Sequence, residues 1–231
     1  MLLSRIIILV HHYYSNTVKI GNLPSASALK QYCRSGADTL QHNTQTGKGI
    51  QNMCMFINGE QAADLVRDDM TIAVGGFITY GVPEDCLVSL QSRYVATKSP
   101  RNLTLLHLAA VGDGAEGGAN RLGEPGLCKR LICGHIGMEP RLNKLVVSEQ
   151  LEAFLIPQGV ASHLSRAIAG KKPGVLTHVG LQTYCDPRLE GCKANQSARD
   201  SGHAVVELLQ LNGEDYLLYR SMCARSLQEE A

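Results

Sequence analysis

The chain has 231 residues, 44% of them hydrophobic and 19% charged, with a formal net charge of +1. That is enough apolar material for one large domain or two small ones, and the charge balance excludes a broadly basic nucleic-acid surface. Its 23 glycines and absent tryptophan suit an α/β protein built on glycine turns, while its eight cysteines are spaced too irregularly for a small disulfide-stapled domain and read as free thiols of a reducing, intracellular compartment.

The first 56 residues carry five basic side chains and a single acid, Asp38, so a compositional boundary falls near Phe56. Ile6 to Val10 form an apolar patch, far short of the roughly 20 residues that a membrane-spanning helix needs. An acid-poor segment with scattered Ser and basic residues has the character of an organelle transit peptide. However, His11, His12, Tyr13 and Tyr14 spoil an amphipathic pattern, and no small-residue cleavage site follows Val10. Residues 1–56 are therefore expected to be a divergent, disordered or transit-like extension. Mitochondrial and cytoplasmic locations both stay open. Residues 57–221 form the body, and 222–231 a tail.

Residues 57–66 read as a helix. Ile72, Ala73 and Val74 are a short apolar run of the buried-strand kind. Gly75 and Gly76 follow, with backbone free to approach another surface closely, and Phe77 sets one large apolar side chain beside them. Gly81 and Pro83 end the loop, and Glu84 and Asp85 fall where acids favour a helix start. In an open α/β sheet, ligands gather at such strand-to-helix turns. The helix shows an apolar face of Cys86, Leu87, Leu90 and Tyr94, and Pro100 stops it. A second strand spans 103–111, with His107 inside it as a core or edge residue lacking a partner.

Gly112, Asp113, Gly114 and Gly117 then satisfy G-x-G-x-x-G, the pattern of a dinucleotide-binding turn. Gly118, Gly123, Pro125 and Gly126 speak against the helix this motif requires, and the next strand, 130–133, lacks the acid that would hold a ribose. Cys128, Cys133 and His135 find no second ligand pair at ordinary spacing, so no metal centre is expected. A strand near EAFLI leads to Pro157, Gln158 and Gly159, a turn before a helix with the apolar face Val160, Leu164, Ala167 and Ile168 and a Gly170 cap. Gln158 thus occupies a second strand-to-helix turn. Its amide has two donors, and a donor aimed at a developing oxyanion contributes about 3–4 kcal/mol to a transition state. Beyond it, Arg188 and Lys193 lie in a loop where they could meet phosphate or carboxylate. Asn212-Gly213 marks a hairpin turn.

The run of Asp68, Ile72 to Val74, Gly75, Gly76, Phe77, Gly81 and Pro83 resembles the signature of the family I coenzyme A transferases. Asp69 departs from it, where the family has Gly or Asn. The Gly112-Asp113-Gly114 loop, the Pro157-Gln158-Gly159 turn and the Asp186-Pro187-Arg188 run resemble the propionate/acetate branch and fall in the family's order. Cys192 stands where that branch has a second glycine.

The resemblance implies an α/β fold, an open and mostly parallel sheet with helices on both faces. It implies an enzyme that moves CoA between a short-chain acyl-CoA and a free carboxylic acid, with CoA as substrate and no tightly bound cofactor. Gly75, Gly76, Phe77, Gly112, Asp113, Gly114 and Gly159 would meet CoA or substrate, and Gln158 would lie beside the thioester carbonyl. The family's nucleophile is a glutamate that forms a mixed anhydride and then a glutamyl-CoA thioester. The resemblance puts it in a second half that this sequence lacks, since Glu207 and Glu214 have no matching context. The chain is thus expected to be a first-half, α-type domain truncated at its C-terminus, inactive alone. Its partner would be a second-half domain or subunit, and the complete protein a homo-oligomer. Two other readings stay open: a non-catalytic domain that binds CoA or a partner, and a dinucleotide-dependent oxidoreductase.

Overall fold

The computed structural model describes residues 57–221, together with the backbone of three short strands, Ile6–Leu9 (β1), His11–His12 (β2) and Ser15–Val18 (β3). The rest of 1–56, and the tail at 222–231, lie outside the described residues, and with them most of the expected extension. β2 and β3 pair with each other, whereas β1 joins the main sheet.

The body alternates helix and strand. Gly59–Asp64 (α1) is followed by Thr71–Val74 (β4), Glu84–Thr97 (α2) and Leu103–His107 (β5). A 3₁₀ turn at Ala119–Leu122 leads to Cys128–Cys133 (β6), Pro140–Val147 (α3), Glu152–Leu155 (β7) and Gln158–Ala169 (α4). Gly174–Thr177 (β8), Gln196–Asp200 (α5), Val206–Leu211 (β9) and Glu214–Arg220 (β10) complete the body. β1, β4, β5, β6 and β7 lie in that order in one parallel sheet, and β8, β10 and β9 form a small antiparallel sheet.

Local chemistry sets the ends of these elements. Asn58 caps α1 reciprocally: its side chain accepts from Gln61 N at 2.9 Å while the Gln61 side chain accepts from Asn58 N at 3.1 Å. α2 stops at Lys98, whose left-handed φ of 57° ends the helix before Pro100. The second strand ends at His107, earlier than the apolar run suggests, because the chain turns there into the loop that carries Gly112. Asp69 explains its own departure from the family pattern: with φ at 60° it occupies the left-handed region that Gly and Asn favour and Asp tolerates. Its neighbour Asp68 accepts from Arg101 N at 2.9 Å, tying the entry of β4 to the entry of β5.

A parallel sheet needs cover on both faces. One face packs against α1, α2 and α3 through residues such as Leu87, Leu90, Leu105, Leu131 and Leu142. The other packs through Leu106, Ile132 and Phe154 against Leu164 of α4 and Leu217 and Tyr219 of the hairpin. Helices lie on both faces, but on the second the antiparallel sheet shares the work.

Candidate active site at the carboxyl ends of the strands

Because β4 to β7 are parallel and adjacent, their following loops emerge along one rim, the place where open α/β sheets bind ligands. The ends of β4 and β7 are three strand spacings apart, about 14 Å.

The first loop is the double glycine. Gly76 has φ 130°, and a Cβ there would press on Val82 Cγ2 at 2.8 Å. Phe77 N donates to Tyr80 O at 3.0 Å and Tyr80 N returns a bond to Phe77 O at 2.9 Å. This closes a tight loop whose inner residue, Ile78, is held at φ 55°, a costly conformation for a β-branched residue. Ile78 N donates to Ala110 O at 2.7 Å, which pins the first loop to the second. Phe77 is 54% exposed and Tyr80 67% exposed, so the loop presents two aromatic faces to solvent.

The second loop, after β5, folds back on itself. Asp113 Oδ1 accepts from Ala115 N at 2.8 Å and Gly117 N at 3.0 Å, and these bonds hold its carboxyl below the usual range. Gly112 pairs with Gly118, Gly114 N donates to Met138 O at 3.1 Å, and a Cβ on Gly112 would strike that same Met138 carbonyl. Glu84, legible as a first-turn acid, also staples this loop: it accepts from Gly118 N at 2.8 Å and from Arg121 Nε at 2.9 Å. A four-residue 3₁₀ turn follows where a dinucleotide motif needs a helix. Its inward-turned donors offer no cradle for a pyrophosphate.

The third loop holds Gly134 and His135, and the fourth Pro157, Gln158 and Gly159. A Cβ on Gly134 would run into the Leu108 carbonyl and press on Gln158 Cα at 3.3 Å, so these three strand ends are in contact. Gln158 is the first residue of α4, two positions earlier than the turn pattern suggests, because Pro157 serves as the N-cap. Its side chain is exposed and takes no hydrogen bond among the described residues. The first N–H groups of α4 have no side-chain cap either, so donors of two kinds converge there. Around Gly159 a Cβ would meet nothing within 4 Å.

His107, expected in the core or at an edge, is a core residue, and a buried carboxyl that no motif announced lies near it. The imidazole is fully buried beneath the rim, its Nε2 3.6 Å from Oε2 of Glu139, which is also buried. Glu139 is the N-cap of α3, and its Oε1 accepts from Val111 N at 2.5 Å. Burial pushes Glu139 up to about 7 and His107 down to about 4. No sequence motif announced Glu139; only the Pro140 behind it hinted at a helix start. His135 is exposed at the rim, with Nδ1 accepting from Gly137 N at 3.1 Å. Arg188 is not available to a ligand: it binds Asp186 and Asp215, each at 2.7 Å. Cys128 and Cys133 stand at opposite ends of β6, about 16 Å apart along an extended strand, too far to share an ion.

With this geometry in place, comparison with known proteins decides the family. The coenzyme A transferase family model matches residues 57–224. The chain belongs to the coenzyme A transferase family. It is 41% identical over 169 residues to the caffeate CoA-transferase of Acetobacterium woodii, covering 73% of this chain and 32% of that protein. It is 30% identical over 166 residues to the alpha subunit of the acetoacetyl-CoA:acetate/butyrate CoA transferase of Clostridium acetobutylicum, covering 71% of this chain and 64% of the subunit. Among solved structures, the Escherichia coli O157:H7 acyl-CoA transferase in its thioester complex with CoA superposes with a TM-score of 0.67 at 30% identity, covering 72% of this chain and 34% of the other. The chain thus spans about a third of the length of the first of these curated relatives. The family fold accounts for the order of glycine loop, second loop and Gln158 turn along one rim.

Proposed function

We propose that this chain is the α-type half of a CoA-transferase that moves CoA between a short-chain acyl-CoA and a free carboxylic acid. The observation that carries the reading is Gln158, whose unpaired amide and helix N-terminus stand on the same rim as the double-glycine loop. In this reading a glutamate from a second-half domain or subunit attacks the thioester carbonyl. Negative charge gathers on the carbonyl oxygen, and the Gln158 amide donates to it. The C–S bond breaks and CoA leaves as a thiolate, giving an acyl-glutamyl anhydride. The thiolate then attacks the glutamyl carbonyl, releases the acyl group as a free carboxylate and leaves a glutamyl-CoA thioester, which the acceptor acid resolves by the reverse steps. Gly75 and Gly76 admit the CoA chain closely, Phe77 covers it, and the open space at Gly159 leaves room for the reacting carbonyl. Gly112, Asp113 and Gly114 line the approach as a stiff wall, since the Asp113 carboxylate is bound to its own loop. The alpha-subunit relatives support a β-type partner, and the acetate enzymes among the relatives support a small acid as substrate.

Two measurements test this. CoA added to the purified chain raises its melting temperature, and Gly76→Val removes the rise while leaving the ligand-free melt cooperative. In the protein completed by its second half, Gln158→Ala lowers kcat about 100-fold with little change in stability. An unshifted melt at millimolar CoA, or a Gln158→Ala enzyme of full kcat, would overturn the reading.

A further inference from the structure

A hollow opens at the amino-terminal ends of the strands. Thr71, Thr104, Arg130 and Glu152 are register partners across β4, β5, β6 and β7, a polar row on the face that the antiparallel sheet covers. Two residues further along, the row becomes Ala73, Leu106, Ile132 and Phe154, which is apolar. Between this row and the end of β10 is a hollow of about 240 Å³. Its walls are apolar, from Ile132, Ile156, Leu164 and Tyr219, and its polar lining includes Thr104, Arg130, His203, Arg220 and Ser221, with no acid among the lining residues.

Three observations mark this as more than a packing fault. Ser221 is 2% exposed, yet its Oγ has no hydrogen-bond partner among the described residues, which is rare for a buried hydroxyl. Arg130 spends Nε on Glu152 at 2.6 Å and Arg220 spends Nε on Glu207 at 3.0 Å, so the terminal nitrogens of both forks take no hydrogen bond among the described residues. His203, half-buried between them, is pushed down to about 4 by burial and then by Arg130, Arg220, Lys129 and Lys193, so at neutral pH an uncharged ring sits in a positive field. Guanidinium forks match a carboxylate bidentately, a hydroxyl can complete its coordination, and the apolar walls suit a hydrocarbon body behind it.

We propose that this hollow is a second ligand site, for a small carboxylate with an apolar body. The carboxylate lies against the Arg130 and Arg220 forks and accepts from Ser221, while the body lies along Ile132, Ile156 and Leu164. The inference does not depend on CoA binding at the rim, which has its own readout.

The test follows the His203 ring by NMR in the full chain, its signals assigned by their loss in His203→Asn, during titration with benzoate, benzamide and inorganic phosphate. Benzoate brings a compensating negative charge and raises the pKa of His203. Benzamide, with the same body and no charge, leaves it unchanged, and phosphate acts only at much higher concentration. Arg220→Gln weakens benzoate about tenfold or more, and Ser221→Ala about fivefold. Neither position belongs to the rim loops, and Ser221→Ala removes a hydroxyl that bonds nothing among the described residues, so it keeps the test open should Arg220→Gln fold poorly. A His203 that ignores benzoate, as it would were the hollow filled by the chain itself, overturns the proposal. So do equal responses to benzoate and phosphate, which would mean an adventitious ion only, and undiminished benzoate binding in Ser221→Ala.

Discussion

Two buried atoms, His107 Nε2 and Glu139 Oε2, stand 3.6 Å apart, beyond hydrogen-bond reach, and neither has a hydrogen-bond partner among the described residues. His107 Nδ1 lies 2.6 Å from the Ala109 carbonyl, which can only accept, so Nδ1 carries a hydrogen. Glu139 Oε1 already accepts from Val111 N. What remains is Nε2 opposite Oε2, each without a hydrogen-bond partner among the described residues, and a proton held on Oε2 keeps the buried pair free of charge. The other titratable groups nearby are Cys133, held up by burial and by Glu139, and His135, which opposes charge on His107. Glu139 is raised from 4.5 to about 7, so it favours folding below that window and loses that stability as pH rises through 7. His107 is lowered from 6.5 to about 4, so its contribution grows as pH rises from 4 to 6.5. The two slopes cancel between about 4.5 and 6.5, and above that only the loss from Glu139 remains. Denaturation midpoints measured from pH 5 to 8 are therefore expected to be flat and then to fall near neutrality. Glu139→Gln abolishes the fall, because its amide does not titrate while its oxygen still accepts from Val111 N. Glu139→Ala, by contrast, orphans Val111 N and costs about 1–3 kcal/mol.

Among the elements, the turns were the easiest to read and the contacts between them the hardest. Asn212 and Gly213 sit at φ 54° and 84°, as a type I′ hairpin turn demands. Gly213→Val forces a β-branched residue into that region. It is expected to cost about 1–2 kcal/mol in urea denaturation while leaving CoA binding at the rim unchanged. The double-glycine turn and the Gln158 turn were legible for the same reason: glycine and proline act on the chain within a few residues, so their effect is written locally. The carboxyl near His107 was not legible because it arrives from the N-cap of α3, which no local pattern connects to β5. Arg188 looked free because Asp215, which holds it, comes from a hairpin distant in sequence. Gly134 belongs to the same class: its spacing showed a turn, and only packing shows that it touches both Leu108 and Gln158. Gly134→Ala is accordingly expected to lower both stability and CoA affinity. An equal substitution at Gly159, where a Cβ meets nothing, leaves stability within about 0.5 kcal/mol.

At the scale of the whole molecule, the family resemblance implied a mostly parallel sheet, and the sheet then fixed where the four loops had to emerge. Its second cover was less legible. The hairpin was plain in sequence, but nothing local said that it would fold over Ile132 and Phe154 beside α4. The consequence is a sheet with two cores, and adjacent residues of β5, β6 and β7 enter one each. Leu105 is buried in the layer of α1 to α3, and Leu106, its neighbour, in the layer of α4 and the hairpin. Successive side chains of a strand point to opposite faces, so the pair reports on each core separately. Leu105→Ala and Leu106→Ala are each expected to cost about 2.5–4 kcal/mol in denaturant unfolding. Because the two side chains share no packing partners across the sheet, the double variant should lose nearly the sum, within about 0.5 kcal/mol. A sheet with one solvated face would instead make one of the two nearly neutral. A near-neutral Leu106→Ala beside a costly Leu105→Ala would thus mean that the hairpin layer does not cover the sheet in solution, and the hollow at His203 would then be open solvent.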